Sequence, residues 1–216
     1  MSNILVIVKQ EFSYFQKHPM IYTLQITLQN RKPLNQRIIQ ISDNKTFAEL
    51  SQIICDLYDF SGEHLWEYQK EDSSLIINHP EYEITPVDLK EFAEEDFGDL
   101  QEVAENVSSK VYKLSDYFFN NTKIKYMYDF GENWCFEILF TRADEDIPWF
   151  NGVKIIWGQG TYLIEDSGGP EGLKEYLQQY AKQQRDGDRW ETQEDFAERI
   201  QPAMQDFKAH KHPQYL

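Results

Sequence analysis

Tyr22, Leu24, Ile26 and Leu28 are apolar, and Thr23, Gln25 and Thr27 between them are polar. A period of two predicts a strand with one buried face. Asn30-Arg31-Lys32-Pro33 supplies a turn, and a second strand follows through Arg37, Ile39 and Ile41 until Ser42-Asp43-Asn44 breaks it. Thr46 followed by Glu49 is a capping-box pattern. Phe47, Leu50, Ile53, Ile54 and Leu57 then recur at helical spacing, up to Ser61-Gly62. His64 to Tyr68 reads as a third strand, and Leu75-Ile76-Ile77 as a short one stopped before Pro80. The opening order is β-β-α-β, a hairpin with a crossover helix.

Between Glu81 and Glu105 the pattern changes. This segment holds ten acids and one base, Lys90, a net −9. Leu89, Phe92, Phe97, Leu100, Val103 and Val107 recur at roughly helical spacing, which predicts a solvated amphipathic helix or a broken pair of helices. The carboxylates do not follow the spacing of a calcium loop. An acidic arm that docks a basic partner is the functional alternative.

The remaining chain alternates again. Leu114 to Asn120 predicts a short helix. Ile124, Tyr126 and Tyr128, then Trp134, Phe136, Ile138 and Phe140, predict a hairpin turning at Gly131-Glu132-Asn133. Two short strands are expected at Val153 to Trp157 and Thr161 to Ile164. After Gly168-Gly169-Pro170, the spacing of Leu173, Tyr176, Leu177 and Tyr180 predicts a helix from Glu171. A last helix is expected over Gln193 to Ile200, before Pro202, with a loosely held tail over 208–216. Together these elements predict an α+β fold: a single domain over 1–216, with helices packed on a mixed, mainly antiparallel sheet.

Composition narrows the function classes. The 216 residues are 15% aromatic and carry a formal charge of −16. The aromatic content supports a packed core. The charge argues against direct nucleic-acid binding, because no basic cluster offsets it. The longest run without Asp, Glu, Lys or Arg is His18 to Asn30, too short and too polar to span a bilayer. Ile4 to Val8 is too short for a signal-peptide core. Cys55 and Cys135 form no C-x-x-C, so reduced thiols are the expectation. These features predict a cytoplasmic protein without a membrane span.

Chemistry-bearing residues concentrate in three segments. His64 stands beside Trp66, and Asp129 follows a strand and precedes a glycine-containing turn. Glu165-Asp166-Ser167-Gly168-Gly169 leads into a helix, where a turn can cap backbone donors or cradle an anion. No phosphate-loop lysine follows, and no G-x-G-x-x-G is present. Tyr128 and Trp134 fit cross-strand core packing.

Residues 126–138 read YMYDFGENWCFEI and residues 162–172 read YLIEDSGGPEG; with HLWEY at 64–68 they resemble the plasmid pRiA4b ORF-3-like family over about 20–200. Members of that family are also described as insertion-sequence passenger proteins of the TnpR type. The resemblance matches His64 and Leu65 to a His-Leu pair. It matches Tyr128, Asp129, Phe130, Gly131 and Trp134 to a hairpin, and Glu165, Asp166, Gly168, Gly169 and Gly172 to a turn. It departs at Glu132, where the family has Asp, at Phe136 in place of a His, and at Ser167 in place of a Cys. The lost His and Cys, with His64, are natural zinc ligands, so the resemblance implies weak or no zinc binding here.

The resemblance implies a fold and no activity. Three functional expectations remain. The first is a noncatalytic binding or adaptor domain linked to mobile elements, with a protein partner, in one variant a basic one. Its surface would comprise His64, Tyr128, Asp129, Trp134, Glu165, Asp166, Gly168 and Gly169. The second is a divalent-metal enzyme using His64, Asp129, Glu165 and Asp166, for which Mg²⁺ or Mn²⁺ suits a carboxylate set better than Zn²⁺. The third is an acidic mimic that occupies a nucleic-acid-binding protein. No cofactor is implied.

Overall fold

The computed structural model describes residues 20–30, 35–81, 104–145, 152–186 and 207. The acidic segment from residue 82 to 103, the expected helix at 193–200 and the tail at 208–216 lie outside the described residues.

Alternation along the chain becomes one sheet. β1 (Met20–Leu28) pairs antiparallel with β2 (Gln36–Ser42) on one side and with β7 (Trp134–Glu145) on the other. β6 (Lys123–Tyr128) bridges β7 to β3 (Trp66–Gln69), and β4 (Leu75–Asn78) follows β3. β5 (Glu105–Ser108) and β8 (Val153–Gln159) complete the order β5-β4-β3-β6-β7-β1-β2-β8. Every described pairing is antiparallel except β4 with β5. The fold is therefore α+β on a mainly antiparallel sheet.

The apolar set of each strand lines one face. Leu24, Ile26, Ile39, Tyr68, Ile77, Tyr126, Tyr128, Trp134, Phe136 and Ile138 are all fully buried. Onto that face pack α1 (Phe47–Tyr58) and α2 (Leu114–Phe118), and Leu173 of α3 (Gly169–Asp186) is buried as well. Each large apolar side chain removed from water contributes about 1.5–3 kcal/mol before ordering costs. Four tyrosines bring hydroxyls to this face, and each has a partner. Tyr126 meets Ser51 Oγ at 2.6 Å, and Tyr58, Tyr68 and Tyr117 donate to the carbonyls of Ile26, Phe47 and Lys123. Left unpaired, each buried phenol would cost about 1–3 kcal/mol.

α1 starts with the predicted capping box. Thr46 Oγ1 accepts the Glu49 amide and Glu49 Oε2 accepts the Thr46 amide at 2.8 Å. It ends at Asp59, whose φ of 66° reverses the chain, and the Phe60 amide returns to the Cys55 carbonyl. This left-handed stop aims Ser61 and Gly62 at the end of the sheet where β6 turns into β7.

Three sequence expectations need correction. The third strand begins at Trp66, so His64 lies in the preceding loop. Thr161 to Ile164 is not a strand; a loop follows β8 directly into α3, which begins at Gly169. Glu105 and Val107, read as the end of an acidic helical stretch, belong to β5, because the open edge of β4 supplies pairing partners that local periodicity cannot show. Between the β1–β2 hairpin and β3 lie β6 and β7, so α1, the crossover helix, carries the chain across half the sheet. Cys55 and Cys135 are both free, Cys55 buried and Cys135 half-buried.

Candidate functional site

Three loops converge at one end of the sheet. They are the α1–β3 loop with Ser61, Gly62 and His64, the β6–β7 turn from Asp129 to Asn133, and the β8–α3 loop with Glu165 to Gly168. The strand register explains the convergence. Trp66 opposes Tyr128, Tyr128 opposes Trp134, Leu28 opposes Phe136, and Gln36 opposes Gln159, so all three loops leave the same edge.

Glu165 ties two of these loops together. Its Oε1 accepts the Tyr128 hydroxyl at 2.5 Å and Ser61 Oγ at 3.1 Å, and its Oε2 accepts the Ser61 amide at 2.8 Å. Tyr128 Oη in turn accepts the Gly62 amide at 3.0 Å. Burial raises the Tyr128 phenol well above its ordinary value, and the Glu165 bond raises it further. The phenol therefore stays a donor to the carboxylate.

Glu132 makes the second tie. Its Oε2 accepts the indole N–H of Trp134 at 2.8 Å, and its Oε1 accepts the Gly168 amide. Gly169 follows with φ of 70°, and a Cβ there would lie 2.1 Å from the Glu132 carbonyl oxygen. Only glycine permits that approach. The Gly-Gly pair thus receives a carboxylate of its own chain where the sequence offered an anion cradle.

Asp129 organises the hairpin turn. Its φ is 54°, and its Oδ1 accepts the amides of Gly131 at 3.0 Å and Glu132 at 3.3 Å. Short polar side chains tolerate this backbone region and close such turns. The other oxygen, Oδ2, faces His64 Nδ1 at 3.6 Å. The imidazole also stands edge-on to the Tyr128 ring, with centroids 5.7 Å apart. Asp166 is exposed, at φ of 56°.

The eight residues singled out from the sequence therefore come together but occupy different depths. Tyr128 and Trp134 are fully buried, with Phe60 stacked 4.7 Å from the Tyr128 ring. They form the floor beneath the loops. Asp129, Glu165 and His64 form a partly buried layer, and Asp166 and Gly168 lie at the surface. Sequence reasoning treated Ser61 and Gly62 only as a helix stop, and Glu132 only as a substitution. No local signal marks them, because their partners lie 104 and 36 positions away. Phe130, at the tip of the turn, keeps 47% of its surface exposed.

The residues present do not fit a zinc site. Phe136 is buried against Tyr58, with ring centroids 4.8 Å apart, and Ser167 Oγ donates to the Ile164 carbonyl at 2.7 Å. Among the described residues no three His, Cys, Asp or Glu side chains are grouped so as to hold a metal ion. A shallow depression of about 420 Å³, lined by Lys70, Asp72, Tyr117, Asn120 and Lys123, lies at the opposite end of β3 and β6 and shares no residue with the three loops. Among the described residues no helix is long and apolar enough to cross a membrane.

Comparison with known proteins places this architecture. The uncharacterized protein y4hQ of Sinorhizobium fredii (strain NBRC 101917 / NGR234) is 21% identical over 161 residues, covering 74% of this chain and 73% of that protein. The crystal structure of the protein of unknown function MM3350 from Methanosarcina mazei Go1 superposes with a TM-score of 0.63 at 25% identity, covering 90% of this chain and 94% of that one. The family model of the plasmid pRiA4b ORF-3-like protein matches residues 20–211, which include all three converging loops, and the chain belongs to that family.

Proposed function

We propose that this protein is a noncatalytic binding module that recognises a protein partner through the rim formed by the β6–β7 turn and the β8–α3 loop. One observation carries the reading: the acids of both motifs accept hydrogen bonds from this chain itself, Asp129 within its own turn and Glu132 and Glu165 from neighbouring loops. Asp129, Glu132 and Glu165 each hold a backbone amide, and Glu132 and Glu165 also hold a side-chain donor. Such bonds fix the loops before any partner arrives, which lowers the ordering cost of association. The fixed rim presents Phe130 as an apolar contact, with acids on either side. A basic surface on the partner is complementary to this rim and to the charge of −16. Cytoplasmic residence and service to a mobile element complete the reading, supported by the composition and by the plasmid origin in the family description.

Crosslinking from a photoreactive residue at position 130 tests it, with position 111 as control because Val111 is also exposed. In cells of the source organism, a discrete protein adduct is expected from position 130 alone, declining as salt screens the charges. Equal labelling from both positions overturns the reading.

A further inference from the structure

Arg37 is fully buried on β2, and among the described residues its guanidinium donates to amide and carbonyl oxygens. Its guanidinium lies between two aromatic faces, 4.6 Å from the Tyr58 ring and 3.6 Å from the Phe207 ring. Its Nη1 donates to Asn35 Oδ1 at 2.9 Å and to the Gln159 carbonyl at 2.7 Å, and Nη2 donates to the Thr161 carbonyl at 3.1 Å. The cation is thus spent on holding the chain just after β8. Burial lowers its pKa to about 10, still far above neutrality, so the charge persists.

Phe207 comes from the C-terminal part of the chain and closes this arrangement. It is buried, its amide donates to the Gly160 carbonyl at 2.9 Å, and its ring also meets Tyr162 at 5.8 Å. Gly158 makes room for it, since a Cβ there would lie 2.6 Å from the Phe207 ring. From this point the loop runs without slack to the candidate site. Leu163 donates to the Tyr58 carbonyl, Glu165 reaches Ser61 and Tyr128, and Gly168 reaches Glu132.

We propose that Phe207 is a latch: its seating on Arg37 and Gly160 sets the position of the loop from Gly160 to Gly168, so displacement of Phe207 loosens the Glu165 and Glu132 ties. Cation–π contacts suit this use because a stacked face separates without breaking an ion pair. The inference concerns the geometry of the site and does not depend on what the rim binds.

Residue-resolved hydrogen exchange on the full chain tests it. In Phe207→Ala, the amides of Ser61 and Gly168 are expected to exchange about tenfold faster, while those of Tyr126 and Met127 in β6 keep their rates. Gly158→Ala, which puts a methyl group where the ring sits, is expected to give the same pattern. Unchanged exchange at Ser61 and Gly168 overturns the latch. Faster exchange throughout β6 in both variants also overturns it, because Phe207 then supports the whole fold and not this loop.

Discussion

The two ends of the β3–β6 pair use similar residues to different effect. At one end Lys70 pairs with Asp72 at 3.0 Å and Lys123 pairs with Glu71 at 2.7 Å, with both acids exposed to solvent. At the other end Asp129, Glu132 and Glu165 accept amide, phenol and indole donors above a floor of Phe60, Tyr128 and Trp134. Water competes freely for the first set and less for the second, whose phenol and indole bonds are partly buried. Exposed ion pairs contribute little, whereas charge-assisted bonds to partly buried donors contribute about 2 kcal/mol each. A carboxylate's partner, more than its presence, decides whether it belongs to the fold or to the solvent.

Alkali gives the largest effect and tests the aromatic floor. Burial raises the phenols of Tyr58, Tyr68, Tyr126 and Tyr128, and pushes the Cys55 thiol up to about 12. In the unfolded chain these groups lose their protons near about 9 for the thiol and 10 for the phenols. Above those values the unfolded state binds fewer protons than the folded one, so stability falls as pH rises. Circular dichroism is expected to show a cooperative alkaline transition, with stability from these groups intact below about pH 9. Phenols titrating near pH 10 with the fold intact would break the comparison.

Substitutions at the clamped end come next. Gly169→Ala sets a methyl group against the Glu132 carbonyl at a positive φ, with an expected loss of about 3 kcal/mol. Glu165→Ala strands the Tyr128 phenol and the Ser61 amide, with an expected loss of about 2 kcal/mol. Urea denaturation measures both. Losses below about 0.5 kcal/mol would mean that the carboxylates do not hold the loops. The smallest effect belongs to the opposite end: Lys123→Ala is expected to leave the urea midpoint unchanged, because its partners are exposed. A clear shift there would erase the contrast between the ends.

Much of the fold was legible from local patterns. The capping box at Thr46 and Glu49, the alternation in β1, β2, β6 and β7, and the membership implied by the two motifs all follow from neighbouring residues. β5 was not legible, since Glu105–Ser108 becomes a strand only where β4 offers an open edge. The candidate site was legible in part. The motifs named Asp129, Glu165 and the glycines, but not the assignment of each acid to its donor.

What the sequence determined by itself is therefore the set of elements, because periodicity and caps act over a few residues and survive any global arrangement. The tertiary structure alone decided the use of each charge. Ser61 lies 104 positions from Glu165, Gly168 lies 36 from Glu132, and Arg37 meets the carbonyl of Thr161, 124 positions on. Such partners meet only after the strands align in register. Burial then decides which bonds water no longer competes for, and no local pattern carries that information.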